Sequence, residues 1–208
     1  MTDETVTPAA GTPASGYPIT YTFDTPEKIA RWRPLVHWLL AIPHIIVLYV
    51  LGIVAELLAV VSWIVGVITG TVPEGLQKPI IMYVRYSARV GTYLFWLREE
   101  YPPFAFDTSF DDPGTDPRVR IDVVPSTEGR NRLTIFFRLL LAIPQFIVLA
   151  LVGIAVGVVV FVGWFAVIIL GRWPEGMGRF VIGVSRWNTR LVSYVYLLTD
   201  EYPPFSTQ

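Results

Sequence analysis

Cysteine is absent from this chain of 208 residues, which excludes disulfides, thiolate metal sites and cysteine nucleophiles. Bulk charge is absent as well: 16 Lys and Arg stand against 17 Asp and Glu, so no basic excess points to nucleic acid. The opening stretch, Met1 to Gly16, has neither the basic n-region nor the apolar h-region of a signal peptide. Its Thr, Pro, Ala and Gly content fits a disordered tail over residues 1–16. No P-loop, dinucleotide fingerprint, zincin helix or serine-nucleophile elbow occurs, so no enzymatic activity and no cofactor is expected. Charge is missing above all from two long runs. Between Leu35 and Gly70 the only charged or imidazole side chains are His37 and Glu56, and between Leu139 and Gly171 there are none.

Apolar runs of 18 residues or more read as membrane-embedded. The whole-chain figures agree: 53% hydrophobic residues, 16% charged and a mean hydropathy of +0.52. The two runs are copies. LLAIP at 39–43 returns at 140–144, Trp63 as Trp164, PEG at 73–75 as PEG at 174–176, and YPPF at 101–104 at 202–205. The offset is 101 from Arg31 to Phe104 without a gap. The expected fold is an all-α integral membrane protein built as a tandem repeat, with repeat one over 17–106, a linker over 107–117 and repeat two over 118–205.

Each repeat opens on a strand pattern. Tyr17, Ile19, Tyr21 and Phe23 alternate with polar residues, and Val119 to Val124 do the same before the second run, with a one-residue slip in the alignment. Two such strands can pair in a small polar cap. Thr25-Pro-Glu-Lys then reads as a helix start, with Thr25 as N-cap and Pro26 at the first helical position. At about 1.5 Å per residue the first run is longer than a hydrocarbon core of roughly 30 Å. Pro43 and Pro144 mark equivalent bends, and the run is either one kinked, tilted helix or a hairpin turning near Gly52–Glu56 and Gly153–Gly157. After Pro-Glu-Gly a second, amphipathic helix covers Leu76 to Arg98 and Met177 to Thr199, stopped by the prolines of YPPF. The linker is rich in Asp, Gly and Pro and reads as an exposed connection.

Lys28, Arg31 and Arg33 precede the first run, and Lys78 and Arg85 follow it. Basic flanks at both ends favour an even number of crossings per repeat, which makes the copies parallel. The hairpin is therefore the preferred layout, with four segments in a multi-pass protein and both termini on the cytoplasmic side. The second helix of each repeat lies at the interface, because spanning would bring Arg85 and Arg89 to mid-bilayer.

The lead-in RWRPLVHWLLAIPH at 31–44, the Gly- and Trp-rich run, PEG and YPPF resemble a bacterial membrane family catalogued as a domain of unknown function. That family occurs as tandem copies in actinobacterial proteins and as single short copies in proteobacterial ones. The likeness covers Tyr17 to Phe205 and implies a bacterial cell membrane, with no catalytic residues to carry over.

Three groups of residues are candidate sites. Glu56 is an intramembrane carboxylate, which marks ion handling unless it caps a turn or pairs with an arginine; its counterpart is Gly157. Lys78, Arg85 and Arg89, with Arg179, Arg186 and Arg190, form a repeated basic stripe suited to anionic lipid headgroups. The alternative is that these arginines serve helix-end carbonyls and Glu99, Glu100, Asp200 and Glu201. His37 and His44 share a helical face but lack a third ligand, and Asp111, Asp112 and Asp116 miss the calcium-loop spacing, so no metal is expected. The function this points to is a non-enzymatic membrane scaffold or accessory subunit binding anionic lipid, with a partner membrane protein or a second copy. A small transporter or channel using Glu56 is the alternative.

Overall fold

The computed structural model describes residues 16–126 and 129–208; the expected tail lies, up to Ser15, outside them. The alternating stretches form strands β1 (Ile19–Phe23) and β2 (Val119–Val123), and these pair with each other as an antiparallel ribbon. The helices are α1 (Arg33–Leu40), α2 (Ile42–Thr69), α3 (Glu74–Leu94), α4 (Arg132–Phe136), α5 (Arg138–Leu170) and α6 (Glu175–Val195).

The second apolar run is one continuous helix, the 33 residues of α5, and the first is the 28 residues of α2 entered from α1 through a turn at Ala41. The hairpin layout does not form. Gly52, Gly153 and Gly157 sit inside helix, where each costs about 1 kcal/mol relative to alanine, too little to break a run of strong intrahelical bonds. The Tyr83 ring packs beside Gly52 with room for a side-chain methyl between them. Both helices close on a left-handed glycine, Gly70 (φ 76°) and Gly171 (φ 70°), whose N–H groups return to Gly66 and Val167. The breaks lie upstream of the prolines, at Ala41 in copy one and Phe137 in copy two, so the expected equivalent bends at Pro43 and Pro144 are corrected. Pro43 falls in the first turn of α2, where a missing N–H costs little. Pro144 sits within α5, which continues through it.

Thr25-Pro26 starts no helix, because the backbone there is engaged across the molecule: Ile29 N donates to Gly171 O at 2.8 Å and Ala30 N to Glu99. The amphipathic helices start earlier and stop four residues sooner than the prolines suggested. Trp96 (φ 55°) and Leu197 (φ 62°) take left-handed backbone just beyond them. A non-glycine residue there costs roughly 1–2 kcal/mol. Both carbonyls are held by side chains distant in sequence, Trp96 O by Trp173 Nε1 of the other copy and Leu197 O by Arg130 of its own copy, each at 2.8 Å.

The two copies run antiparallel, not parallel. Ile29 N bonds Gly171 O, and its counterpart Arg130 N bonds Gly70 O at 3.2 Å. Trp63 Nε1 donates to Ile135 O at 3.0 Å and Trp164 Nε1 to Pro34 O at 3.2 Å. The end of α2 thus meets the start of copy two, and the end of α5 meets the start of copy one. The ribbon obeys the same two-fold relation. Tyr21 faces Ile121 at its centre, Arg85 donates to Ile121 O at 2.8 Å, and Arg186 donates to Tyr21 O at 3.1 Å.

Ile19, Tyr21, Val119, Ile121 and Val123 bury the inner ribbon face against Ile80, Ile81 and Val84 of α3 and Val181 and Ile182 of α6. The ribbon touches α3 and α6 and neither α2 nor α5. One departure from two-fold symmetry is compensated. Trp173 replaces Val72, and Gly163 of α5 replaces Ser62 of α2; a Cβ at Gly163 would fall inside the van der Waals envelope of the Trp173 ring. Gly163→Ala is therefore expected to cost about 1–3 kcal/mol by overpacking. In a double-mutant cycle with Trp173→Val part of that cost should disappear; strictly additive effects would refute the contact.

Candidate functional site

The outer sides of α2 and α5 are apolar and uncovered. Leu57 is 63% exposed, Leu151 64%, Ile154 69% and Phe161 64%. Trp38 of α1 and Leu133 of α4 continue this surface. Among the described residues no exposed large apolar side chain belongs to α3, α6, β1 or β2. The outer ribbon face carries Thr20, Thr22, Arg120 and Asp122, with Arg120 exposed. The protein is therefore two-faced, apolar on one side and charged on the other.

The basic stripe is split by this arrangement. Arg85 and Arg89 are buried and face protein, which corrects their placement at headgroups. Arg85 donates to the carbonyls of Ile121, Ser109 and Phe110 and lies 3.5 Å from Asp112. Arg89 donates to both oxygens of Asp112 at 3.2 Å, with Asp107 at 3.5 Å. Arg186 is tied to Tyr21 O, and buried Arg190 reaches the carbonyls of Ser206 and Gln208 beside the Tyr17 ring. Only Lys78 and Arg179 keep outward positions, and Lys78 pairs with Glu74 at 3.0 Å one turn away.

The carboxylates that hold these arginines come from the segment that composition marks as an exposed linker. Asp112 and Asp116 are buried. Asp116 clamps Arg98 at 2.7 and 2.8 Å and accepts from the backbone of Arg118 and Val119. Asp200 serves Arg130 and Arg138 in copy two. The signal available beforehand was arithmetic: arginines repeated on otherwise apolar faces need counter-charges, and this segment supplied them.

Glu56 is exposed near the middle of α2 and forms no ion pair among the described residues, so neither a turn cap nor an arginine partner accounts for it. It lies beside Tyr83 and Tyr196, whose rings stack at 6.3 Å. Burial pushes both phenols above their usual ionisation range, followed by the Glu56 charge at Tyr83 and by Tyr83 and then Glu56 at Tyr196.

His37 and His44 diverge. His37 stacks on Tyr93 and places Nδ1 3.2 Å from Tyr93 O, where Arg138 NH1 meets Tyr194 O in copy two. His44 meets the Tyr86 hydroxyl, where Gln145 accepts from Trp187 Nε1 in copy two. No group of three metal-ligating side chains occurs among the described residues. Burial lowers the His37 pKa from 6.5 to about 4, so folding selects the neutral ring. The unfolded chain takes the proton first, so stability is full above pH 6.5 and falls as pH drops toward 4. At about 1.36 kcal/mol per pK unit the loss is about 3 kcal/mol. His37→Gln should flatten that segment of an unfolding-versus-pH profile, and an unchanged slope would exclude His37 as its source.

A cleft of about 1160 Å³ lies between residues 25–31 and the turn from α5 to α6. Lys28, Arg31, Arg172 and Arg179 line it, together with Glu27, Glu99 and Glu175. All four cations lack a carboxylate within ion-pair distance among the described residues. At the opposite end of the two-fold arrangement Arg132 is exposed, and its guanidinium reaches Thr69 O. The apolar surface therefore has cations at both ends of its helices. Of these, Arg172 has no counterpart in copy one, where Thr71 stands, and the repeat alone gives no reason to single it out.

Comparison with curated proteins and with solved structures gives no match. A family match does occur, over residues 31–105 and 132–207, and it falls on the same two halves that the antiparallel packing relates. The chain belongs to the family described as Domain of unknown function (DUF4389), in two tandem copies.

Proposed function

We propose that this protein is a non-enzymatic membrane scaffold or accessory subunit of a bacterial cell membrane. In this reading it seats α1, α2, α4 and α5 among lipid chains, holds anionic headgroups with the cations at the helix ends, and offers its polar side to a partner membrane protein or a second copy. The observation that carries the reading is the apolar surface of two helices, each long enough to cross a membrane and almost wholly uncovered. Water does not tolerate an apolar patch of that extent, and such patches mark membrane or protein partners.

The headgroup role passes from the buried arginines to Lys28, Arg31, Arg132, Arg172 and Arg179, with Lys78 as a lesser contributor because Glu74 neutralises it. Each cation near an anionic surface contributes about 1 kcal/mol, screened over roughly 10 Å at 0.1 M salt. Replacing those five by Gln should reduce the preference for anionic over zwitterionic vesicles at least tenfold in a flotation assay at low salt, with the fold intact. An unchanged preference would remove the headgroup role. The same vesicles test the alternative: proton or ion flux that vanishes in Glu56→Gln would replace the scaffold reading with a transport one.

A further inference from the structure

We infer that α2 and α5 lie along the membrane plane within a single leaflet and do not cross the bilayer. The inference rests on the membrane seat proposed above and adds its orientation. The decisive feature is where the charged ribbon sits along the helices. Arg85, midway along α3, bonds Ile121 at the centre of β2, and Arg186, midway along α6, bonds Tyr21 at the centre of β1. Helix α3 in turn runs antiparallel to α2 along its length. Val72 meets Gly66 at one end, Tyr83 meets Gly52 in the middle, and Tyr86 meets His44 toward the other. The ribbon therefore crosses at the mid-level of α2 and, by the two-fold relation, of α5.

If α2 and α5 stood across a bilayer, that mid-level would be its centre. Exposed Arg120 and Asp111, with Asp122 and Arg118, would then face hydrocarbon, where charges are expelled unless protein or water surrounds them. Turning the molecule through a right angle removes the conflict. The two-fold axis then lies along the membrane normal, α2 and α5 sink about one helix diameter, roughly 10 Å, into one leaflet, and α3 and α6 separate them from the ribbon in water. Helix lengths agree. At about 1.5 Å per residue both helices exceed a hydrocarbon core of roughly 30 Å, whereas an in-plane helix has no length to match. The occupant of the apolar face is thus the acyl-chain layer of one leaflet.

Single cysteines introduced into the cysteine-free chain test this. Glu74 and Glu175 are exposed, equivalent first residues of α3 and α6, and Asp111 is exposed in the segment before β2. In Glu74→Cys, Glu175→Cys and Asp111→Cys, an impermeant maleimide should label all three sites from one and the same side, comparing intact cells with inverted vesicles. Labelling of positions 74 and 175 from opposite sides, with position 111 protected, would overturn in-plane seating while leaving membrane insertion standing. Recovery of the unmodified protein in the soluble fraction would overturn the membrane seat itself, and the orientation with it.

Discussion

Asp112→Ala is expected to lower the unfolding free energy by about 3–5 kcal/mol, the usual cost of leaving buried charge without its partner. Set against a total of about 5–15 kcal/mol for an ordinary domain, that is enough to compromise the fold. Among the described residues Asp112 is the one carboxylate within ion-pair distance of both Arg85 and Arg89, and all three side chains are almost wholly buried. It also accepts the backbone N–H groups of Ile121 at 3.0 Å and Gly114 at 2.9 Å, so it fixes the loop to the ribbon. Asp112→Asn keeps an acceptor but no charge and should fall between. Adding Arg89→Leu to Asp112→Ala should recover part of the loss, because a buried ion pair is costly chiefly when one member remains. Thermal unfolding in detergent followed by tryptophan fluorescence measures all three. The control is Lys78→Ala: its pair with Glu74 is half exposed and worth about 0–1 kcal/mol. Equal effects for Lys78→Ala and Asp112→Ala would contradict the buried network.

The second large effect concerns the outer face of the long helices. Leu57, Leu151, Ile154 and Phe161 each lose about 1.5–3 kcal/mol of burial in lipid when made polar. Replacing all four by Asp should therefore lower vesicle partitioning by several orders of magnitude, since about 1.4 kcal/mol is tenfold. None of the four is buried within the protein, so unfolding in detergent should change little. Asp at Thr20 and Thr22, on the outer ribbon face, should leave partitioning almost unaltered. Equal losses from the two faces would mean that the apolar surface is not what the membrane meets.

Much of this architecture is legible in the residues, and the failures have physical causes. The constant offset between Trp63 and Trp164 reveals the repeat, and the alternation at 17–23 and 119–124 reveals a ribbon that joins the two copies. Glycine and Glu56 near the middle of α2 look like a turn only if local signals are judged alone; the surrounding apolar residues keep the helix intact. Thr25-Pro26 carries a genuine cap signal, overridden by hydrogen bonds to Gly171 and Glu99 more than 65 residues away. Asp112 and Asp116 sit in a segment whose composition is that of a solvated loop, and their arginine partners are 18 to 27 residues distant in sequence. Antiparallel copies were hidden for a different reason. Counting basic flanks assumes that the runs cross the bilayer, an assumption that the proposed in-plane seating removes.

Helix orientation is the quantity on which the membrane reading turns. Polarised infrared spectroscopy of the protein in aligned bilayers reports it directly, because the amide I transition follows the helix axis and α3 packs along α2 as α6 packs along α5. In-plane seating gives a mean helix axis closer to the bilayer plane than to its normal, unchanged in Glu56→Gln. A mean axis close to the normal would contradict it and place the ribbon's charges inside the bilayer.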